Sequence, residues 1–139
     1  MKLSHVFAIL SIAMLGLPGS GMAQKNDRAP PAVQAEFNAF IGKFRAAVKA
    51  NDAGAVTAMT RFPFLHFSDL RDEAAFRKQV YPKLFTARVR DCLQRGRGAY
   101  GLDGEGSHNF SLFCGETIFL MAKRKNDTGF LFAETGVND

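Results

Sequence analysis

Residues 32–50 read AVQAEFNAFIGKFRAAVKA, and this stretch decides the fold more than any other part of the chain. Its apolar residues recur at intervals of three and four, a spacing that places them along one side of a helix. The members of this apolar stripe are Val33, Phe37, Phe40, Ile41, Phe44, Ala47 and Val48. We therefore predict an amphipathic helix that ends near Ala50 and packs its apolar side against the rest of the protein.

The segments that follow alternate between helical and extended patterns. Asn51 or Asp52 can cap a second short helix that turns Val56 and Met59 inward. Residues 61–67 are aromatic and extended, and Pro63 restricts them to an edge strand or a bulge. A helix is then predicted from Asp72 to just before Pro82, followed by another that Thr86 caps and by a glycine-rich segment, residues 96–106.

The last third of the chain has the pattern of strands. Residues 108–114 alternate between apolar and polar, Gly115 permits a bulge, and the strand continues over residues 116–123. A turn at residues 126–129 then returns residues 130–133 antiparallel to it. Residues 118–121, Ile-Phe-Leu-Met, are apolar on both faces, which favours cover from the helices on one side and from a second subunit on the other. Helices followed by antiparallel strands predict an α+β fold.

A family resemblance agrees with this order of elements. Residues 40–52, continuing through residues 55–59, resemble the helical opening of the nuclear-transport-factor-2-like, or cystatin-like, superfamily. Residues 117–122 and 130–134 resemble its final strands, so the likeness spans roughly residues 34–135. It implies N-terminal helices packed in a curved antiparallel sheet around a cone-shaped cavity. The superfamily includes isomerases, cyclases and dehydratases as well as noncatalytic binding modules, and no catalytic pair of theirs aligns with this sequence.

The N-terminus has the features of an export signal. Lys2 precedes an apolar run over residues 6–17 that is too short to span a bilayer, and small residues precede a cleavage point after Ala23. We therefore predict a signal peptide at residues 1–23, a flexible linker at residues 24–31 and one domain at residues 32–139. The mature protein is expected in the periplasm or secreted, with no stable membrane insertion after cleavage.

The two cysteines, Cys92 and Cys114, both lie in the exported part of the chain. An oxidising compartment and an even count favour a disulfide between them, with two buried free thiols as the alternative. Two cysteines without CxxC spacing or a nearby histidine cluster do not form a metal site, and no cofactor is predicted.

Charge gives a weaker indication of function. The formal net charge is +5, and basic residues gather at residues 88–97 and 123–125. These clusters could attract a polyanion or an anionic membrane surface. Asp91 lies at helical spacing from Arg88 and Arg95, so an ordinary solvated surface is the simpler interpretation, and no nucleic-acid partner is predicted.

Few residues have the character of a functional site. His66 is followed by Asp69, whose carboxylate could orient the imidazole for proton transfer, but a hydrogen-bonded structural histidine is the commoner role. Glu116 could face the cone cavity or pair with Arg61 or Arg90. The residues predicted to line a ligand pocket are Phe62, Phe64, His66, Tyr81, Glu116 and Phe119.

Three functional hypotheses follow from these observations. The leading one is an exported noncatalytic domain that binds a small apolar or amphipathic ligand in the cone, or a partner protein through the sheet. The second is an isomerase-like or lyase-like enzyme that uses His66 and Asp69. The third is an envelope-associated structural module with a basic surface.

Overall fold

A computed structural model describes residues 28–66, 68–70 and 72–139. The predicted signal peptide and residues 24–27 of the predicted linker lie outside these residues. The helices are α1 (Pro31–Lys49), α2 (Ala53–Ala58), α3 (Glu73–Ala75), a π-helical turn (Phe76–Val80), α4 (Tyr81–Leu84) and α5 (Ala87–Arg95). The strands are β1 (Thr60–His66), β2 (Ser68–Leu70), β3 (Ala99–Leu102), β4 (His108–Cys114), β5 (Thr117–Lys123) and β6 (Leu131–Val137).

All six strands form one mixed sheet in the order β2-β1-β6-β5-β4-β3. The pairing of β1 with β6 is parallel, whereas the other four pairings are antiparallel. The predicted α+β class is therefore confirmed, but the prediction of a wholly antiparallel sheet was wrong, because β1 runs parallel to β6. The last strand of the chain lies in the middle of the sheet, where it connects the hairpin β1-β2 to the meander β3-β4-β5.

Helix α1 lies against one face of this sheet, which we call the inner face. It begins at Pro31, where a missing N–H removes no helical hydrogen bond, and it ends at Lys49. Five of the seven residues in the predicted apolar stripe are buried, and Phe37 stacks on Phe110 of β4 with ring centroids 3.7 Å apart. Farther along the helix, Phe44 packs against Phe132 of β6.

Phenylalanine fills the space between helices and sheet. The fully buried phenylalanines are Phe44, Phe64, Phe76, Phe85, Phe110, Phe119 and Phe132. Six of these rings contact one another at centroid distances of 4.9 to 6.3 Å, mostly tilted or edge to face, and Phe110 joins them through Phe130 and Phe40. These are favourable geometries for aromatic quadrupoles. The core is thus a continuous network of benzyl groups.

Two capping predictions are confirmed. The Asp52 carboxylate accepts a hydrogen bond from the Ala55 N–H at 2.9 Å and so caps α2. The Thr86 hydroxyl accepts one from the Val89 N–H at the start of α5. Both caps satisfy backbone donors that have no partner within the helix.

Other sequence predictions were wrong in their boundaries. The helical segment does not stop before Pro82. It continues to Leu84, because Pro82 lies in the first turn of α4, where no N–H is needed. Strand β3 falls within the glycine-rich segment, residues 96–106, for which no strand was predicted. Gly115 does not form a bulge within one long strand, since its φ of +65° makes a tight turn and separates β4 from β5.

Pro63 lies at a bulge-like shift of strand register, one of the two positions predicted for it, and not in an edge strand. Strand β1 has neighbours on both sides, and its register with β6 shifts between Thr60 and Leu65. The absent N–H of Pro63 therefore falls where the parallel pairing is interrupted. The peptide bond from Phe62 to Pro63 is cis.

The predicted disulfide is present. Cys92 of α5 and Cys114 at the end of β4 are bonded, with their Cα atoms 5.9 Å apart. No free cysteine occurs in residues 28–66, 68–70 and 72–139. The bond connects α5 to the antiparallel meander β3-β4-β5.

Candidate functional site

The interior of the domain is solid where the sequence suggested a ligand pocket. Phe64 and Phe119 have no solvent-accessible surface, so no water-sized space touches either side chain. Phe62 is half-buried and makes an edge contact with Phe76. The prediction that Phe64 and Phe119 line a cavity is therefore corrected, because phenylalanine rings occupy the space that a ligand would need.

Tyr81 is also part of the packed interior, apart from its hydroxyl group. That group donates a hydrogen bond to Asn51 Oδ1 at 3.0 Å, and Asn51 has a left-handed backbone with φ of 52°. Burial raises the pKa of the Tyr81 phenol, the Arg90 charge lowers it, and the Asp52 charge raises it further. Tyr81 thus joins the α1–α2 connection to α4, which is an anchoring role.

His66 and Asp69 lie on neighbouring antiparallel strands. In the register of β1 and β2, His66 is opposite Ser68, and Asp69 is opposite Leu65. The side chains of both residues lie outside the described part of the structure. The acid–base pair suggested by the sequence remains a prediction.

The basic residues have several structural partners. The Arg45 Nε donates to the carbonyl oxygen of Leu93 at 2.8 Å, which fastens α1 to α5. Arg90 donates to the Phe85 carbonyl at 2.7 Å, and Arg95 pairs with Asp91 as the sequence predicted. These contacts favour the interpretation of residues 88–97 as helix surface and helix anchor.

A second ion pair connects β1 to the loop before β6. The Arg61 guanidinium binds the Asp127 carboxylate through two nitrogens, and both side chains are largely buried. Hydrogen bonding to Arg61 holds the pKa of Asp127 below its usual value, although burial opposes this effect. Arg61 is therefore not the partner of Glu116, which the sequence left as an alternative.

The opposite face of the sheet, which we call the outer face, carries exposed apolar residues. Phe113 is 47% exposed, and it pairs in register with Ile118 of β5, which is half-buried. Leu120, which pairs in register with Ser111, lies on the same face and is also half-buried. No described helix covers this face, because the buried side of α1 faces the other one. The outer face is an apolar surface with no described partner.

A surface cavity lies at the disulfide. It has a volume of about 570 Å³ and opens between α5 and the β4–β5 turn. Its lining residues are Arg88, Val89, Cys92, Cys114, Gly115, Glu116 and Thr117. Of the six predicted pocket residues, Glu116 alone is among them. We call this space the disulfide cavity.

A second cavity of about 560 Å³ lies between the start of α1 and β3. Tyr100 lines it, and its hydroxyl forms a hydrogen bond with His108 Nδ1 at 2.9 Å. Strand β3 is at one edge of the sheet, so its outer backbone groups have no partner strand among the described residues.

The described residues contain no group of three or more His, Cys, Asp and Glu side chains arranged to hold a metal ion. Within residues 28–66, 68–70 and 72–139, no helix combines the length and apolar character needed to cross a bilayer.

Comparisons with protein-family models, curated proteins and solved structures found no match to this chain.

Sequence reasoning missed the disulfide cavity. Arg88 appeared only as one member of a basic cluster, whereas the structure sets it beside Glu116 at the mouth of one space. A signal was available, because Arg88 lies one helical turn before Cys92 and Glu116 lies two residues after Cys114. A disulfide between these cysteines necessarily brings the two charged residues into one neighbourhood.

Proposed function

We propose that this protein is an exported noncatalytic binding domain of the nuclear-transport-factor-2-like type, and that its binding surface is the outer face of the sheet. The observation that carries the proposal is the exposure of Phe113 on that face, next to the half-buried Ile118 and Leu120. Contiguous exposed apolar surface on a small domain is typical of protein interaction sites.

The packing of the interior supports a surface partner over a ligand held inside a cone. Phe64 and Phe119 touch no open space, so an apolar ligand between helices and sheet would have to displace aromatic rings. Displacing close-packed side chains costs more than covering a surface that is already exposed. An open sheet face requires no such rearrangement.

The partner that best fits the outer face is a second copy of the chain. Strands β3 to β6 contain a single basic residue, Lys123, and it pairs with Glu36 of α1 on the inner side. Two copies of a basic protein can therefore meet through this face without opposing lysines or arginines. The six strands, three to seven residues long at about 3.4 Å per residue and about 4.8 Å apart, give roughly 500 Å² per copy, which reaches the lower limit for a specific interface.

The test is the molar mass of the purified protein by light scattering during size exclusion, over concentrations from about 1 to about 100 µM. We expect twice the chain mass at the upper concentrations. Leu120→Lys places a charge in the centre of the outer face and should give the monomer mass. The intact mass of the same sample, purified from an exporting host, should correspond to a chain that begins at Gln24.

Leu102→Lys is the matched control. Leu102 is 53% exposed, but it lies two residues after Tyr100 in β3 and therefore on the inner face, the face to which Tyr100 points. This variant should keep the parent's molar mass. A parent protein that is monomeric at every concentration, or equal dissociation by both variants, would refute the proposal.

A further inference from the structure

We propose that the disulfide cavity binds a small zwitterion, namely a free α-amino acid or a short peptide with both termini charged. Its lining combines one guanidinium, one carboxylate and an apolar wall. These three features match the carboxylate, the ammonium and the side chain of such a ligand. The site is separate from the outer face of the sheet, so this proposal does not depend on the preceding one.

The two charges at the cavity are opposite in sign, and both are available. Arg88 and Glu116 are exposed, and neither side chain forms a hydrogen bond or an ion pair with any residue in the described part of the chain. They also do not pair with each other. Arg95 on the same helix as Arg88 differs in this respect, because it is engaged with Asp91.

The chemistry of each group selects one end of the ligand. A guanidinium binds a carboxylate through two parallel N–H donors, which is stronger and more directional than a single contact. A carboxylate accepts hydrogen bonds from an ammonium group. A ligand with only one of these charges would leave either Arg88 or Glu116 without a partner.

The remaining wall is suited to an apolar side chain. Val89 and the disulfide also line the cavity, and Thr117 contributes a hydroxyl group to its lining. A volume of about 570 Å³ lies within the range of known small-ligand sites and exceeds the size of one amino acid. A dipeptide therefore fits as well.

The walls of the cavity are held in place from two directions. The disulfide joins α5 to the β4–β5 turn, so the element that carries Arg88 is covalently linked to the one that carries Glu116. On its other side, α5 receives the hydrogen bonds of Arg45, and Gln94 donates back to the Arg45 carbonyl at 3.1 Å. A preformed site loses less ordering free energy on binding.

The experiment follows the backbone amide signals of isotope-labelled protein by NMR while leucine or leucyl-leucine is added up to about 10 mM. We expect saturable shifts at Val89, Gly115 and Glu116. Tighter binding of leucine would identify a free amino acid as the ligand, and tighter binding of leucyl-leucine a peptide. N-acetyl-leucine lacks the ammonium group and leucinamide lacks the carboxylate. The dissociation constant of each should therefore be at least about fivefold higher than that of leucine.

Two variants test which charged residue binds which end of the ligand. Arg88→Gln should bind leucine and leucinamide equally, because the carboxylate has lost its partner, and Glu116→Gln should bind leucine and N-acetyl-leucine equally. Arg97→Gln and Glu105→Gln alter exposed charges that do not line the cavity and should bind like the parent. The absence of saturable shifts with both probes, or equal binding by parent, R88Q and E116Q, would overturn the proposal.

Discussion

Two glycines three residues apart allow the packing of the core to be tested with one chemical change. Gly98 lies over the stacked rings of Phe37 and Phe110, and a Cβ added there would be 3.1 Å from atoms of both rings. Gly101 lies in β3, where an added Cβ would meet nothing within 4 Å. Substitution by alanine therefore adds the same methyl group to a filled and to an open environment.

The two substitutions are expected to change the free energy of unfolding in opposite directions. At Gly101, alanine reduces the conformational freedom of the unfolded chain, which should stabilise the protein by about 0.5 kcal/mol. At Gly98, the same gain is offset by overpacking of about 1 to 3 kcal/mol, because the two rings are at most 4% exposed and cannot move apart. We expect Gly98→Ala to lower the free energy of unfolding by about 1 to 2 kcal/mol, and the two variants to differ by about 2 kcal/mol.

Urea denaturation followed by far-ultraviolet circular dichroism measures both values on the same scale. Near-ultraviolet spectra of Gly98→Ala should also change, since its methyl group displaces phenylalanine rings. Equal shifts of the two denaturation midpoints would refute the argument, as would a stabilised Gly98→Ala. Either result would mean that the space above Phe37 and Phe110 can relax at no cost.

Two further predictions concern the links between elements. Asp127→Asn should lower the free energy of unfolding by about 1 kcal/mol at neutral pH, because it removes the charge that binds Arg61. Since the folded pKa of Asp127 is lowered, its contribution is complete above the unfolded pKa of about 4 and is lost as pH falls through the folded value. The difference in free energy of unfolding between parent and variant, measured by urea denaturation at several pH values, should therefore shrink in acid. An unchanged difference would contradict this. Asp91→Asn, which alters an exposed ion pair, is the control. Replacing Cys92 and Cys114 together by alanine should lower the free energy of unfolding by about 3 kcal/mol, as expected for a crosslink between residues 22 positions apart. Reduction of the disulfide in the parent protein should lower it by a similar amount. A loss below about 1 kcal/mol in both cases would argue against the crosslink as a main source of stability.

The helical part of the fold was predictable from local signals. The apolar spacing of α1 and the caps Asp52 and Thr86 depend on residues within a few positions of one another, so the sequence contains the whole signal. The turn at Gly115 was misread because a glycine after an alternating strand is compatible with both a bulge and a hairpin. The choice between them is made by cross-strand pairing, which the local pattern does not contain.

The candidate site was harder to predict for a related reason. Aromatic residues such as Phe64 and Phe119 can line a cavity or fill one, and the outcome depends on how many other rings reach the same space. The disulfide cavity depends on two charged residues, Arg88 and Glu116, that are 28 positions apart and meet only through the crosslink. The cysteine pairing was the part of that site that composition and compartment could indicate.

The central position of β6 has a consequence for biosynthesis. Thr60 pairs with Phe132, so the parallel contact that unites the sheet joins residues 72 positions apart. A nascent chain that has emerged only as far as Lys123 contains β1 through β5 but lacks the strand between β1 and β5. The two halves of the sheet can therefore join only after β6 has left the ribosome, so this contact forms later than the local helices and the β4–β5 hairpin.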